Sequence, residues 1–61
     1  MDELIQDMLT NTKIESITFA YLEETSKFRC ELTWVDGSVN RRSMKTPEGA
    51  LRSVLRGQNL L

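Results

Sequence analysis

The 61-residue sequence predicts an α+β domain: a three-stranded antiparallel meander with a short N-terminal helix and a C-terminal helix, in the order α-β-β-β-α. Three observations carry this. Phe28, Cys30, Leu32 and Trp34 alternate strictly with Lys27, Arg29, Glu31 and Thr33, the period of two that marks a half-buried strand. Asp36-Gly37 follows as a hairpin signal, because Gly accepts positive φ without a Cβ clash. Thr46-Pro47-Glu48 then opens a helix: Thr46 can cap it, Pro47 suits its first position, and Glu48 meets the positive end of its dipole.

The first element is expected over residues 2–11, where Leu4, Ile5, Met8 and Leu9 share one helical stripe and Asp2 and Glu3 occupy the first turn. Thr10-Asn11-Thr12 stops it. A strand over Ile14–Glu24 follows, with Ile17, Phe19 and Tyr21 on one face and Thr18, Ala20 and Leu22 on the other. With Thr25-Ser26 as the tip of a hairpin, Glu24 faces Lys27, Tyr21 faces Cys30, Phe19 faces Leu32 and Ile17 faces Trp34, so apolar residues meet apolar residues.

The second strand is expected over Lys27–Val35, with Trp34 as the central core aromatic. A two-residue turn at Asp36-Gly37 would set Trp34 against Val39 and Leu32 against Arg41, and on the other face Thr33 against Asn40 and Glu31 against Arg42. The third strand, Ser38–Lys45, is polar and forms an edge, where arginines discourage unwanted sheet addition. In the last helix Ala50, Leu51, Val54 and Leu55 make the apolar stripe, and Gly57 is a natural stop. Leu60 and Leu61 trail beyond it. Both helices are expected to cover the face of Phe28, Cys30, Leu32 and Trp34, leaving the other face open.

A chain of this length holds one domain, and a core this small rarely supplies more than ~3–5 kcal/mol. Single domains of this size commonly add a staple. Cys30 is the sole cysteine and there is no histidine, so neither an internal disulfide nor a zinc site of Cys and His ligands is expected. That leaves well-packed helices or self-association, and the favoured expectation is a symmetric homodimer through the edge of the first strand with a six-stranded sheet. The acidic start, Met1-Asp2-Glu3, is unlike a signal peptide, no apolar run approaches the ~20 residues of a membrane span, and the lone cysteine suits a reducing cytoplasm.

Charge is unevenly spread. Residues 1–25 carry Asp2, Glu3, Asp7, Glu15, Glu23 and Glu24 against Lys13, a net −5. Residues 26–61 carry seven basic against three acidic residues, a net +4. One acidic and one basic surface can follow from such a division.

Catalytic chemistry is not expected. Cys30 has no histidine to activate it and belongs to the apolar face. Glu23 and Glu24 are neighbours on a strand, point to opposite faces and cannot act as an acid–base pair. The three glycines are scattered, so no phosphate-cradling loop, cofactor or metal site is expected.

Two surfaces are candidates for binding. The first holds apolar and acidic residues left outside the core pattern, Leu22, Glu23, Glu24, Val35 and Met44, with Leu22, Val35 and Met44 assigned to the open face. It would take a protein partner, and the small size suits an accessory inhibitor or regulator of the kind phages carry, acting by steric or charge mimicry. The second is basic: Lys27, Arg29 and Arg42 on the open face, Arg41 nearby, and Thr33 and Asn40 among them to meet hydrogen-bonding edges. Here Phe28–Leu55 resembles the three-stranded-sheet-plus-helix DNA-binding modules at the N-termini of some phage-type integrases. The resemblance rests on the alternating Phe28–Trp34 stretch, Asp36-Gly37, Arg41-Arg42 and Thr46-Pro47-Glu48. It implies a sheet lying in the major groove through Arg29, Thr33, Asn40 and Arg42. The helix–meander–helix order also resembles a double-stranded-RNA-binding domain, although Thr46-Pro47-Glu48-Gly49 stands where that family opens its last helix with lysines. An anionic nucleotide held between arginines of a dimer, at Arg41 and Arg42, is a third possibility; the sequence pI near 5.3 weighs against nucleic acid.

Overall fold

A computed structural model describes residues Met1–Leu61. Its elements are α1 (Asp2–Asn11), β1 (Ile14–Leu22), β2 (Lys27–Trp34), β3 (Val39–Met44) and α2 (Pro47–Gly57), and the strands form one antiparallel sheet in the order β1-β2-β3. The fold is the expected α-β-β-β-α arrangement. Each strand ends one or two residues inside the expected limits.

The core lies where α2 crosses β2 and β3. Ala50, Leu51, Val54 and Leu55 of α2 are buried against Cys30 and Leu32 of β2, with Met8 of α1 and Ile14 of β1 closing one end. Ile14 reaches this core because of a bulge. Ile14 pairs with Trp34 and Ser16 with Thr33, so Glu15 is an extra residue that turns Ile14 onto the same face as Ile17. Simple alternation would have left Ile14 on the opposite face.

The expected start of α2 holds, while its stop is built differently. Thr46 Oγ1 accepts from the Gly49 amide at 3.0 Å, and a Cβ at Gly49 would lie 2.8 Å from that oxygen, so glycine leaves room for the cap. At the other end the αL residue is Asn59 (φ 59°), not Gly57. The Leu60 amide returns to Leu55 O at 2.9 Å, and Leu60 packs against the core. Leu60 is thus a helix-capping contact, whereas Leu61 is exposed.

Both hairpins differ from the expected pairing. In the first, Leu22 faces Lys27, Tyr21 faces Phe28, Phe19 faces Cys30 and Ile17 faces Leu32, a slip of two residues. The connection is a four-residue loop, Glu23–Ser26, turned by the Thr25 amide to Leu22 O and closed by Ser26 at φ 54°. A two-residue loop would need positive φ at Thr25, which its β-branched side chain resists. A slip of two keeps every side chain on its face, so apolar alternation alone cannot distinguish the two registers.

In the second hairpin the slip is one residue and exchanges the faces of β3. Leu32 faces Asn40, Cys30 faces Arg42, Glu31 faces Arg41 and Thr33 faces Val39. Only Gly37 has positive φ (92°), so the loop is the three residues Val35-Asp36-Gly37, closed by Gly37 N to Trp34 O (2.9 Å) and Trp34 N to Ser38 O (2.8 Å). Asp36 reinforces it by accepting from the amide and hydroxyl of Ser38 at 2.8 and 2.7 Å. The assignment of Asn40, Arg42 and Met44 to the open face is therefore corrected: all three lie on the helix side, while Val39, Arg41 and Ser43 face away from it.

Candidate functional site

Backbone direction along the sheet decides which edge is available. The Trp34 amide bonds toward β3, whereas the Val35 amide bonds to Lys13 O at 2.9 Å on the β1 side. Alternation from these two bonds turns Lys27, Arg29, Glu31 and Thr33 of β2 toward β1, where they meet Leu22, Ala20, Thr18 and Ser16. The N–H and C=O groups of Ile17, Phe19 and Tyr21 therefore point outward, and no strand lies on that side. The Ser16–Leu22 stretch contains no charge, glycine or proline, the usual protections of an edge.

The side chains beside this edge are aromatic and uncovered. Tyr21, Phe28 and Met44 are neighbours in one row across the helix side of the sheet, with Phe19 in the next row. Tyr21 is 54%, Met44 44% and Phe19 37% exposed, and the Tyr21 and Phe28 rings meet at 5.0 Å, tilted by 52°. Alternation correctly puts these aromatics on the helix side, but that does not bury them. A helix of 11 residues, such as α2, is about 16 Å long, and it lies over β2 and β3. β1, with nine residues, extends about 30 Å. Element length was the sequence signal that two short helices leave the hairpin end of the sheet bare.

Acidic groups border the same end. Tyr21, Leu22, Glu23, Glu24 and Thr25 line a shallow concavity at the first turn, and Glu15 stands at the bulge on the other end of the outward-facing stretch. The structure thus brings together Leu22, Glu23 and Glu24 of the expected protein-binding set, with Leu22 half-buried on the open face. Met44 lies on the opposite face, beside Phe28, and Val35 lies at the far end of the sheet in a second concavity with Thr12, Lys13, Trp34, Asp36 and Leu60. Phe19 and Tyr21 complete the exposed group, with Phe28 half-buried beside them, and all three were assigned from sequence to the core.

The expected nucleic-acid set divides between the faces. Lys27, Arg29 and Thr33 remain on the open face, and Arg41, expected opposite Leu32, joins them there with its Nε 3.5 Å from Glu31 Oε2. Asn40 is on the helix side and accepts from the Trp34 indole N–H at 2.7 Å. This bond satisfies the indole at the core margin, so Trp34 is half-buried and not central. Arg42 is also on the helix side. Its Nη2 is 3.4 Å from where a Gly57 Cβ would stand, which sets the cation against the negative end of the α2 dipole. Arg41 and Arg42 consequently point to opposite faces and do not converge on one anion within a single chain. The major-groove mapping through Arg29, Thr33, Asn40 and Arg42 loses two of its four residues.

Cys30 is fully buried, and burial pushes its thiol up to about 11, which suppresses the reactive thiolate. No helix is long and apolar enough to cross a membrane. Comparison of the chain with protein-family models, curated proteins and solved structures found no match.

Proposed function

We propose that this chain is a protein-interaction module that acts by occupying a partner's surface, as an accessory inhibitor or regulator rather than as an enzyme. Its binding surface is the outer edge of β1 with Phe19, Tyr21, Phe28 and Met44 beside it. The observation that carries this is the coincidence of exposed aromatics and unpaired backbone groups on one strand. Tyr21 is more than half exposed next to Phe19, and the backbone of both residues faces outward. Edges of this kind bind extended segments through main-chain hydrogen bonds, and pockets for alternate side chains supply specificity.

The arginine-bearing face is weaker support for nucleic acid. Arg42 and Asn40 are not on it, Arg41 is paired with Glu31, and the remaining cations are Lys27 and Arg29. Neutralising phosphates normally takes several free cations.

Photo-crosslinking in an extract of the source cell separates the two surfaces. A benzophenone amino acid replaces Tyr21 in one probe and Ser43, on the open face, in another. The expected result is a discrete protein adduct from position 21 that Phe19→Lys abolishes. Nucleic-acid adducts from position 43, with none from position 21, would overturn the proposal.

A further inference from the structure

We infer that the β1 edge takes an extended segment whose centre alternates apolar residues and whose ends carry Lys or Arg. This rests on the protein-binding surface proposed above and specifies the chemistry of its occupant. The outward-facing residues are Ile17, Phe19 and Tyr21, so a strand added here has three anchoring positions, two residues apart, against an aliphatic and two aromatic side chains. Those positions want apolar partners, because the core stretch Ser16–Leu22 is uncharged.

Charge sets the ends. Glu15 stands two residues before Ile17, and Glu23 two residues after Tyr21 with Glu24 beside it. A nine-residue strand laid along Glu15–Glu23 therefore places each of its termini near a carboxylate, across a span of about 26 Å. At the Glu23 end the concavity formed with Tyr21 and Thr25 offers a cation both a carboxylate and an aromatic ring. Lys13 is the single base among residues 1–25. A second copy paired β1 to β1 would set two segments of net −5 side by side, whereas a basic-ended segment neutralises the rim. Charge complementarity favours the basic partner over self-pairing.

The test uses three fluorescein-labelled nonapeptides, KRVTVTVRK, SSVTVTVSS and EEVTVTVEE, in anisotropy titrations with the full chain at 20 and 150 mM salt. Their valines are spaced to meet Tyr21, Phe19 and Ile17. The basic-ended peptide should bind at least tenfold tighter than the acidic-ended one at low salt, with a smaller ratio at high salt. The double change Glu23→Lys, Glu24→Lys should erase or reverse that preference. Phe19→Pro should abolish binding while leaving the circular-dichroism spectrum intact, since it removes an amide that points away from β2. Equal binding of all three peptides, lost in Phe19→Pro, would overturn the basic-ended occupant and leave the protein-binding surface standing. No binding by any peptide, together with crosslinking at position 21 that ignores Phe19→Lys, would overturn both. A dimer by light scattering that Phe19→Pro dissociates would make a second copy the occupant and overturn the inference.

Discussion

The indole N–H of Trp34 donates to Asn40 Oδ1 across the β2–β3 hairpin, two positions along from the residue that faces Trp34. The bond can form because the Val35-Asp36-Gly37 loop is three residues long and turns Asn40 to the helix side. Asn40→Ala leaves the indole without its partner, and the expected loss is about 1–2 kcal/mol in urea unfolding, with a change in tryptophan emission. Asn40→Asp keeps an acceptor and should lose less. A neutral Asn40→Ala would mean that Asn40 faces solvent, as a two-residue loop would place it.

Burial separates residues that alternation treats alike. Leu51 is fully buried against the sheet, while Phe19 is exposed beside the free edge. Leu51→Ala should cost ~2–5 kcal/mol, as large-to-small core changes do. That is comparable to the whole ~3–5 kcal/mol expected of a core this size, so the variant should be largely unfolded at 25 °C. Phe19→Ser should stay within about 1 kcal/mol of the parent. Circular dichroism with thermal melts of both variants checks the contrast.

Cys30 is a second reporter of the core. Its thiol lies fully buried between β1 and β3 under α2, with its pKa pushed up to about 11. Labelling by a disulfide reagent at pH 8 should be slow in the folded chain and should follow the unfolded fraction as urea is added. Labelling at the rate of a free peptide thiol without denaturant would contradict the burial.

Asp36 makes the second turn pH-dependent. Hydrogen bonds from the Ser38 hydroxyl and amide hold its carboxyl below the ordinary carboxylate value. A depressed folded pKa contributes stability above the unfolded pKa, near 3.9, and that contribution fades as pH falls through the folded value. Asp36→Ala should therefore lower Tm at pH 7 and have a smaller effect at pH 2. An NMR titration should place the Asp36 midpoint below that of an aspartate in an unstructured peptide.

The element order was legible because its signals are local. Thr46-Pro47-Glu48 starts a helix and Phe28–Trp34 alternates whatever the rest of the chain does. Registers were harder, for two different reasons. A slip of two in the first hairpin leaves Phe19, Tyr21 and Phe28 on the same face, so the apolar pattern is blind to it. Asp-Gly suits loops of two or three residues, and that single-residue difference exchanges Asn40 and Arg42 with Val39 and Arg41. The bulge at Glu15 carries no signal in alternation, and only the burial of Ile14 explains it. The candidate site was half legible: Leu22, Glu23 and Glu24 stand beside it, but its aromatic part was assigned to the core because coverage depends on where short helices lie.

Amide hydrogen exchange at single residues, with and without saturating KRVTVTVRK, tests most directly whether the β1 edge is the working surface. In the free chain the amides of Thr18, Ala20 and Leu22 should be protected by β2, and those of Ile17, Phe19 and Tyr21 should exchange quickly. Adding the peptide should slow those three. Protection gained instead at Val39, Arg41 and Ser43, whose amides face away from β2 on the other edge, or no change at Ile17, Phe19 and Tyr21 when the peptide is bound, would place binding elsewhere on the sheet.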